Sequence, residues 1–164
     1  MNKNIKKHTP IFYIAYGSNM WKQQMEMRCP DAQLITTGEI DGYRLLFKGS
    51  LTGSYATIEP EDGHKVPVYI WAITADDERA LDRYEGFPTF YYKTTIEVTR
   101  HDTGKTVEGM VYIMHEERHL GIPDGHYFNG IRKIYNIEGW DVKPLWEALD
   151  ITQDYIRSEA QKQL

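Results

Sequence analysis

Apolar and polar positions along this chain change period several times, and each change marks an element. Ile11–Tyr16 is a dense β-branched and aromatic run, as in a strand buried on both faces. Gly17-Ser18-Asn19 breaks it. Ser and Asn take up orphan backbone N–H groups with their side-chain oxygens, so they predict the cap of a helix over about Met20–Arg28, which Cys29-Pro30 ends. Met20, Met25 and Met27 read as packing of that helix. Strands are predicted near Gln33–Ile40, Tyr43–Lys48 and Tyr55–Glu59, with Asp41-Gly42 as a tight turn between the first two. Glu61-Asp62-Gly63 reads as another turn, followed by a strong strand over Val66–Ile73.

Thr74-Ala75-Asp76-Asp77 has the spacing of a capping box and predicts a helix over about Ala75–Tyr84 that buries Leu81 and Tyr84. Gly86 and Pro88 stop it. Tyr91–Arg100 and Val107–Met114 alternate as strands, joined by a turn at Asp102-Thr103-Gly104. Helices are predicted near Asp124–Ile137 and Lys143–Arg157, the second with Pro144 in its first turn. Strands crowd the middle and helices the end, and turns rather than repeated crossovers join the strands. This is the pattern of an α+β fold with a mixed sheet, open or closed, rather than a doubly wound one.

With 164 residues the chain matches one domain, residues 1–164, with loose ends expected at about 1–10 and 158–164. The net charge of −5 argues against broad nucleic-acid binding, which needs a basic surface to displace phosphate counterions. The basic N-terminus is followed by too short an apolar run for a signal peptide, and no stretch approaches the roughly 20 apolar residues of a membrane span. A cytoplasmic protein without membrane contact is the expectation. Cys29 is the single cysteine, which excludes an internal disulfide; with no base beside it, it reads as buried and inert.

Three constellations carry candidate chemistry. Tyr16-Gly17-Ser18-Asn19 lies at a strand-to-helix junction, where successive N–H groups suit an anion or a developing oxyanion. A plain turn with a helix cap is the commoner meaning of that spacing alone. Glu85 sits where a helix ends, among Tyr84, Phe87 and Phe90, and a carboxylate desolvated by aromatic rings acquires a raised pKa suited to acid–base work. A solvated helix-end Glu is the blander alternative. His115-Glu116-Glu117-Arg118-His119 formally matches a zinc motif that works only on a helix. Here it follows a strand-like alternation, and Gly121 and Pro123 come at once, so it reads as coincidence.

Taken together, Tyr16-Gly17-Ser18-Asn19 after a first apolar strand and Leu81-Asp82-Arg83-Tyr84-Glu85-Gly86 near the middle resemble the gamma-glutamyl cyclotransferase family. Tyr55-Ala56-Thr57-Ile58, Val68-Tyr69-Ile70-Trp71, Ile96-Glu97-Val98 and Val111-Tyr112-Ile113-Met114 are similar to its later strands, in its order, over about residues 11–140. The resemblance implies a small mixed-sheet barrel with surrounding helices. It also implies an enzyme that cyclises a γ-glutamyl amide to 5-oxoproline, releasing an amino acid or amine without metal or cofactor.

It implies that Tyr16, Gly17, Ser18 and Asn19 form the loop gripping the glutamyl unit. Glu85 matches the catalytic acid/base position and Tyr112 a pocket tyrosine. Two departures stand out: Ser54-Tyr55 where some members carry Gly-Gly, and the aromatic stretch Phe87–Tyr92. The aromatic stretch bears on the leaving amine more than on the glutamyl unit. A cyclotransferase of γ-glutamylamines or of a γ-glutamylated natural product, a non-catalytic binder on the same barrel, and a zinc peptidase are the alternatives. The leaving amine and the oligomeric state are not legible in the sequence.

Overall fold

The computed structural model describes residues 9–50 and 53–164, so most of the loose N-terminal end expected from the sequence lies outside the described residues. Six strands and four helices follow in chain order. They are β1 (Ile11–Ala15), α1 (Lys22–Arg28), β2 (Gln33–Ser50), β3 (Gly53–Ile73), α2 (Ala75–Glu85), β4 (Tyr91–Arg100), β5 (Thr106–Met114), β6 (His119–Leu120), α3 (Gly125–Glu138) and α4 (Lys143–Gln161). A single 3₁₀ turn, Ser18–Met20, separates β1 from α1.

The sheet runs β3-β1-β5-β4-β2, and a long antiparallel pairing of β2 with β3 closes it into a five-stranded barrel; β6 adds to the far end of β2. The expectation of an α+β fold with a mixed-sheet barrel and surrounding helices holds. Among the described residues only β1 and β5 run parallel, meeting at Tyr13 and Met110. Each of the two short seams is tight enough to require a glycine. A Cβ on Gly38 would lie 2.6 Å from Thr99 O across the β2–β4 seam, and one on Gly109 would lie 2.5 Å from Ile14 Cδ1 across the β1–β5 seam. The core is contiguous, from Ile14, Phe47, Ile58 and Ile70 on the strands to Leu81 on α2, Ile131 and Tyr135 on α3 and Leu145 on α4.

Several local expectations change. Asp41-Gly42 and Glu61-Asp62-Gly63 are not turns between separate strands. They face each other within one continuous ribbon, where the register slips between Asp41 and Tyr43 and both Gly42 and Gly63 take positive φ, 76° and 79°. The same residues that reverse a chain also build a bulge, and here the ladder continues on both sides. Ser18 and Asn19 do not cap α1: its cap position is Trp21, with no side-chain hydrogen bond. Leu81 is fully buried as expected, but Tyr84 is 54% exposed. Met20 and Met25 pack in the core, whereas Met27 is exposed. The capping box of α2 forms as read, Thr74 Oγ1 accepting from Asp77 N–H and Asp77 Oδ2 from Thr74 N–H. The final helix continues to Gln161, with residues 160–164 exposed. Among the described residues no helix is long and apolar enough to cross a membrane.

Candidate functional site

Where β1 leaves the barrel, the chain folds into the 3₁₀ turn, and its first bonds run from Met20 N–H to Gly17 O and from Trp21 N–H to Ser18 O. The amides of Gly17, Ser18 and Asn19 therefore have no partner inside the turn. Gly17 has φ −121°, so no left-handed geometry is imposed there. What holds the position small is proximity, since a Cβ would sit 3.1 Å from the Tyr127 hydroxyl.

These amides border a cleft of about 380 Å³ that also takes in Tyr13, Asn19, Glu85, Tyr112 and Tyr127. All six residues singled out from the sequence — Tyr16, Gly17, Ser18, Asn19, Glu85 and Tyr112 — line it. The turn comes from the start of the chain, Glu85 from the end of α2, and Tyr112 from β5.

Asn19, 3% exposed, organises the floor. Its Nδ2 donates to Glu85 Oε1 at 3.1 Å and to the Tyr13 hydroxyl at 2.9 Å. Its Oδ1 accepts from Arg28 Nη1 and, at 3.4 Å, from Gln24 Nε2. A residue read from the sequence as a helix cap is thus a buried four-way connector. Tyr84, expected in the core, instead offers its ring to the Arg28 guanidinium at 3.1 Å from the centroid. Helical spacing alone puts Tyr84 near the face of Leu81, three residues before it, and the guanidinium from the end of α1 gives its ring a partner outside the core.

Glu85 is the last residue of α2, and Gly86, at φ 64°, closes the helix behind it. Burial pushes its carboxyl up from an ordinary 4.5 to about 7; the Arg28 charge and the Asn19 hydrogen bond oppose that rise without cancelling it. Its Oε2 takes no hydrogen bond from a described residue, which leaves that oxygen facing the cleft. Of the neighbours the local sequence suggested, Tyr84 and Phe90 share the cleft with Glu85 but Phe87 does not. Phe87 packs on Lys93, whereas Tyr13, Tyr16, Tyr91 and Tyr127 come to the cleft from distant elements. Burial raises the pKa of each of these phenols, and the nearby Glu85 charge raises it further, so all four stay neutral.

Hydrogen bonds hold the frame rigid. The Tyr16 hydroxyl donates to Tyr112 O at 2.6 Å, and the Tyr112 hydroxyl donates to Asp82 Oδ1 at 2.6 Å. Tyr91 donates to Ala56 O and Ala56 N–H donates to the Tyr127 hydroxyl, both at 3.0 Å. Sequence reading missed Tyr13, Arg28, Tyr91 and Tyr127. The alternation in β1 puts Tyr13 in a strand but not in a site, and nothing in the local pattern aims the end of α1 at the end of α2.

The remaining candidates fall elsewhere. The segment from His115 to His119 is a turn leading into β6, without helix. His115 Nε2 pairs with Pro88 O at 2.9 Å, while His119 Nδ1 faces the Tyr155 hydroxyl at 3.4 Å. The two imidazoles thus serve different partners. Cys29 is fully buried, its Sγ 3.6 Å from Asp77 O, and burial pushes the thiol up to about 12, which leaves it unreactive.

Comparison with known proteins follows the same lines. The model of the family described as "Gamma-glutamyl cyclotransferase, AIG2-like" matches residues 13–129. A gamma-glutamylcyclotransferase of Homo sapiens is 28% identical over 111 residues, 63% of this chain and 59% of the relative. One of Bos taurus is 32% identical over 96 residues, 54% of this chain and 50% of the relative. The chain thus spans between half and three-fifths of the length of these curated relatives. A solved structure described as "Gamma-glutamyl cyclotransferase" superposes with a TM-score of 0.75 at 22% identity, over 85% of this chain and 86% of the other. YkqA from Bacillus subtilis does so at 0.63 and 20% identity, over 79% of this chain and 49% of the other. At such identities the structural likeness concerns the fold.

Proposed function

The chain belongs to the gamma-glutamyl cyclotransferase, AIG2-like family, and on that premise we propose that it cyclises a γ-glutamyl amide to 5-oxoproline with release of an amine. The observation that carries the reading is Glu85: a carboxyl tethered by one oxygen in the cleft that the Gly17–Asn19 amides border, with burial pushing it up to about 7.

The substrate brings its own nucleophile, the α-amine, and its own electrophile, the γ-carbonyl. The cleft folds one onto the other, which supplies effective concentration. Glu85 removes a proton from the α-ammonium, and the freed amine attacks the γ-carbon. As charge develops on the carbonyl oxygen, the amides of Gly17–Asn19 receive it. Glu85 then delivers its proton to the leaving nitrogen as the C–N bond breaks. It takes the second proton from the ring nitrogen, which becomes the lactam N–H, and returns it to solvent. A carboxyl with a pKa near the working pH is suited to taking and giving a proton in one cycle. No step calls for a metal.

The test is incubation with γ-glutamyl amino acids, γ-glutamyl amines and glutathione, with 5-oxoproline as the readout. Stoichiometric 5-oxoproline and free amine are expected. Tight binding without product would make this a binding domain, and activity abolished by a chelator and restored by zinc would overturn the metal-free scheme.

A further inference from the structure

The polar groups of the cleft are mostly neutral hydroxyls and amides, and its charge is sparse. Resting on the cyclisation proposed above, the α-ammonium of the glutamyl unit takes Glu85, and its carbonyl oxygen and α-carboxylate share the amides of Gly17–Asn19. Among the described residues no Lys, Arg or His lines the cleft, and Glu85 is its one charged group. Arg28 lies behind the floor, bound to Asn19 and stacked on Tyr84. Arg118 lies against Phe90, 4.2 Å from the ring centroid, and donates to Thr89 O at 3.3 Å. A leaving group carrying its own carboxylate, as every amino acid does, would therefore bring a second anion into a site with no cation facing it. It would lose hydration with only neutral hydroxyls, and no cation, to replace it.

The rest of the lining is aromatic. Tyr55 packs edge-on against Tyr127 at 5.5 Å and against Phe90 at 6.2 Å between centroids, and Tyr127 does the same with Trp21 at 6.4 Å. These rings come from β3, from the segment before β4, from α3 and from the turn before α1, so they form a wall rather than a local stack. Tyr55 is 44% exposed although it lines the cleft, so apolar surface is left open where an occupant would cover it. At about 380 Å³ the cleft is near the small end of ligand sites, about 300–1,000 Å³. That leaves room for a glutamyl unit and one ring-sized group.

We propose that the leaving group is an uncharged, aromatic or bulky apolar amine lacking a carboxylate, held by a wall of Tyr55, Phe90, Tyr127 and Trp21, with Tyr55 and Phe90 setting the preference. The preference is a matter of desolvation: the ring of the leaving amine replaces water on Tyr55 and Phe90, while a carboxylate would have to be dried with no cation to balance it.

Three substrates separate the contributions: γ-glutamyl-phenethylamide, γ-glutamyl-phenylalanine, which differs from it by one carboxylate, and γ-glutamyl-ethylamide, which lacks the ring. Wild-type kcat/KM is expected to be at least about 10-fold higher for the phenethylamide than for either of the others. In Tyr55→Ala the advantage of phenethylamide over ethylamide should shrink by about 5-fold or more; as Tyr55 is exposed on the cleft wall, the variant should fold. Equal or faster turnover of γ-glutamyl-phenylalanine overturns the inference while leaving cyclisation intact. If Arg118→Gln then removes that advantage, Arg118 is the carboxylate's partner. An unchanged ratio in Tyr55→Ala overturns the role of the wall. Product from none of the three overturns cyclisation and this inference together.

Discussion

The two ends of α2 each carry a buried or half-buried carboxylate, put to opposite uses. At the start Asp77, 3% exposed, sits in the first turn, where the helix dipole favours negative charge, and both halves of its capping box with Thr74 are closed. At the end Glu85 faces the negative pole of the same helix, in a cleft of tyrosines, with one hydrogen bond from Asn19. Over the eight-residue interval between them the same chemical group passes from a satisfied helix cap to a desolvated carboxyl with one hydrogen bond, which the proposed cyclisation would use as its proton carrier. Stability and reactivity are therefore separable along one helix, and substitutions at its two ends should read out in different assays.

The largest expected effect is at the reactive end. Glu85→Gln keeps the acceptor for Asn19 but cannot exchange a proton, so 5-oxoproline formation should fall by about 10²–10⁴-fold while substrate still binds. Retention of more than about a tenth of wild-type turnover, an effect below roughly 1.4 kcal/mol, would falsify the acid–base role. The same variant reads the folding cost of the charge. With the folded pKa raised from 4.5 to about 7, the protonated Glu85 contributes stability that is complete below pH 4.5 and lost as pH rises through about 7. Glu85→Gln should accordingly match wild type near pH 4.5 and exceed it above pH 7, by up to about 3 kcal/mol in denaturant titrations. A constant difference across that window would mean that burial is not what perturbs the group.

At the other end Asp77→Ala should cost about 1–2 kcal/mol, because it opens the box and leaves the Thr74 N–H unpaired, with turnover per folded molecule unchanged. A loss of kcat there would join the two ends in one function. The smallest effect belongs to Arg28→Gln, which can keep a hydrogen bond to Asn19 but removes the charge that holds Glu85 down. The acid limb of the kcat profile should move to higher pH by less than about one unit, the guanidinium acting on Glu85 through Asn19. An unmoved limb would remove Arg28 from the electrostatics of the site.

Much of this arrangement was visible in the sequence, for definable reasons. Strands β4 and β5, the capping box of α2 and the Pro144 start of α4 are local features, decided by residues within one or two turns of each other. Gly42 and Gly63 misled because a positive φ serves a bulge as well as a hairpin, and only the partner strand decides between them. In the site, Glu85 and the Gly17–Asn19 turn were marked by short motifs. Asn19 shows the limit: its amide is chemically able to cap a helix or to bridge four side chains, and the choice depends on Gln24 and Arg28, Tyr13, and Glu85 arriving from three other places. Exposure of Tyr84 has the same origin, since a guanidinium from α1 gave its ring a use outside the core.

The parallel seam between β1 and β5 has a kinetic consequence. Strand β1 finds that partner only when residues near Met110 arrive, and the Tyr16 hydroxyl reaches the Tyr112 carbonyl across a sequence separation of 96. Closing so large a loop is entropically slow and gains nothing until it is complete, whereas the β2–β3 ribbon can zip from its own hairpin. On a ribosome the amino-terminal strand would emerge early and wait with its β5 side unpaired while nearly a hundred residues are added. Because Tyr16 and Tyr112 border the cleft from opposite sides of that seam, the pocket is expected to be completed late in assembly of the barrel. Refolding followed by ligand binding should lag behind refolding followed by strand content.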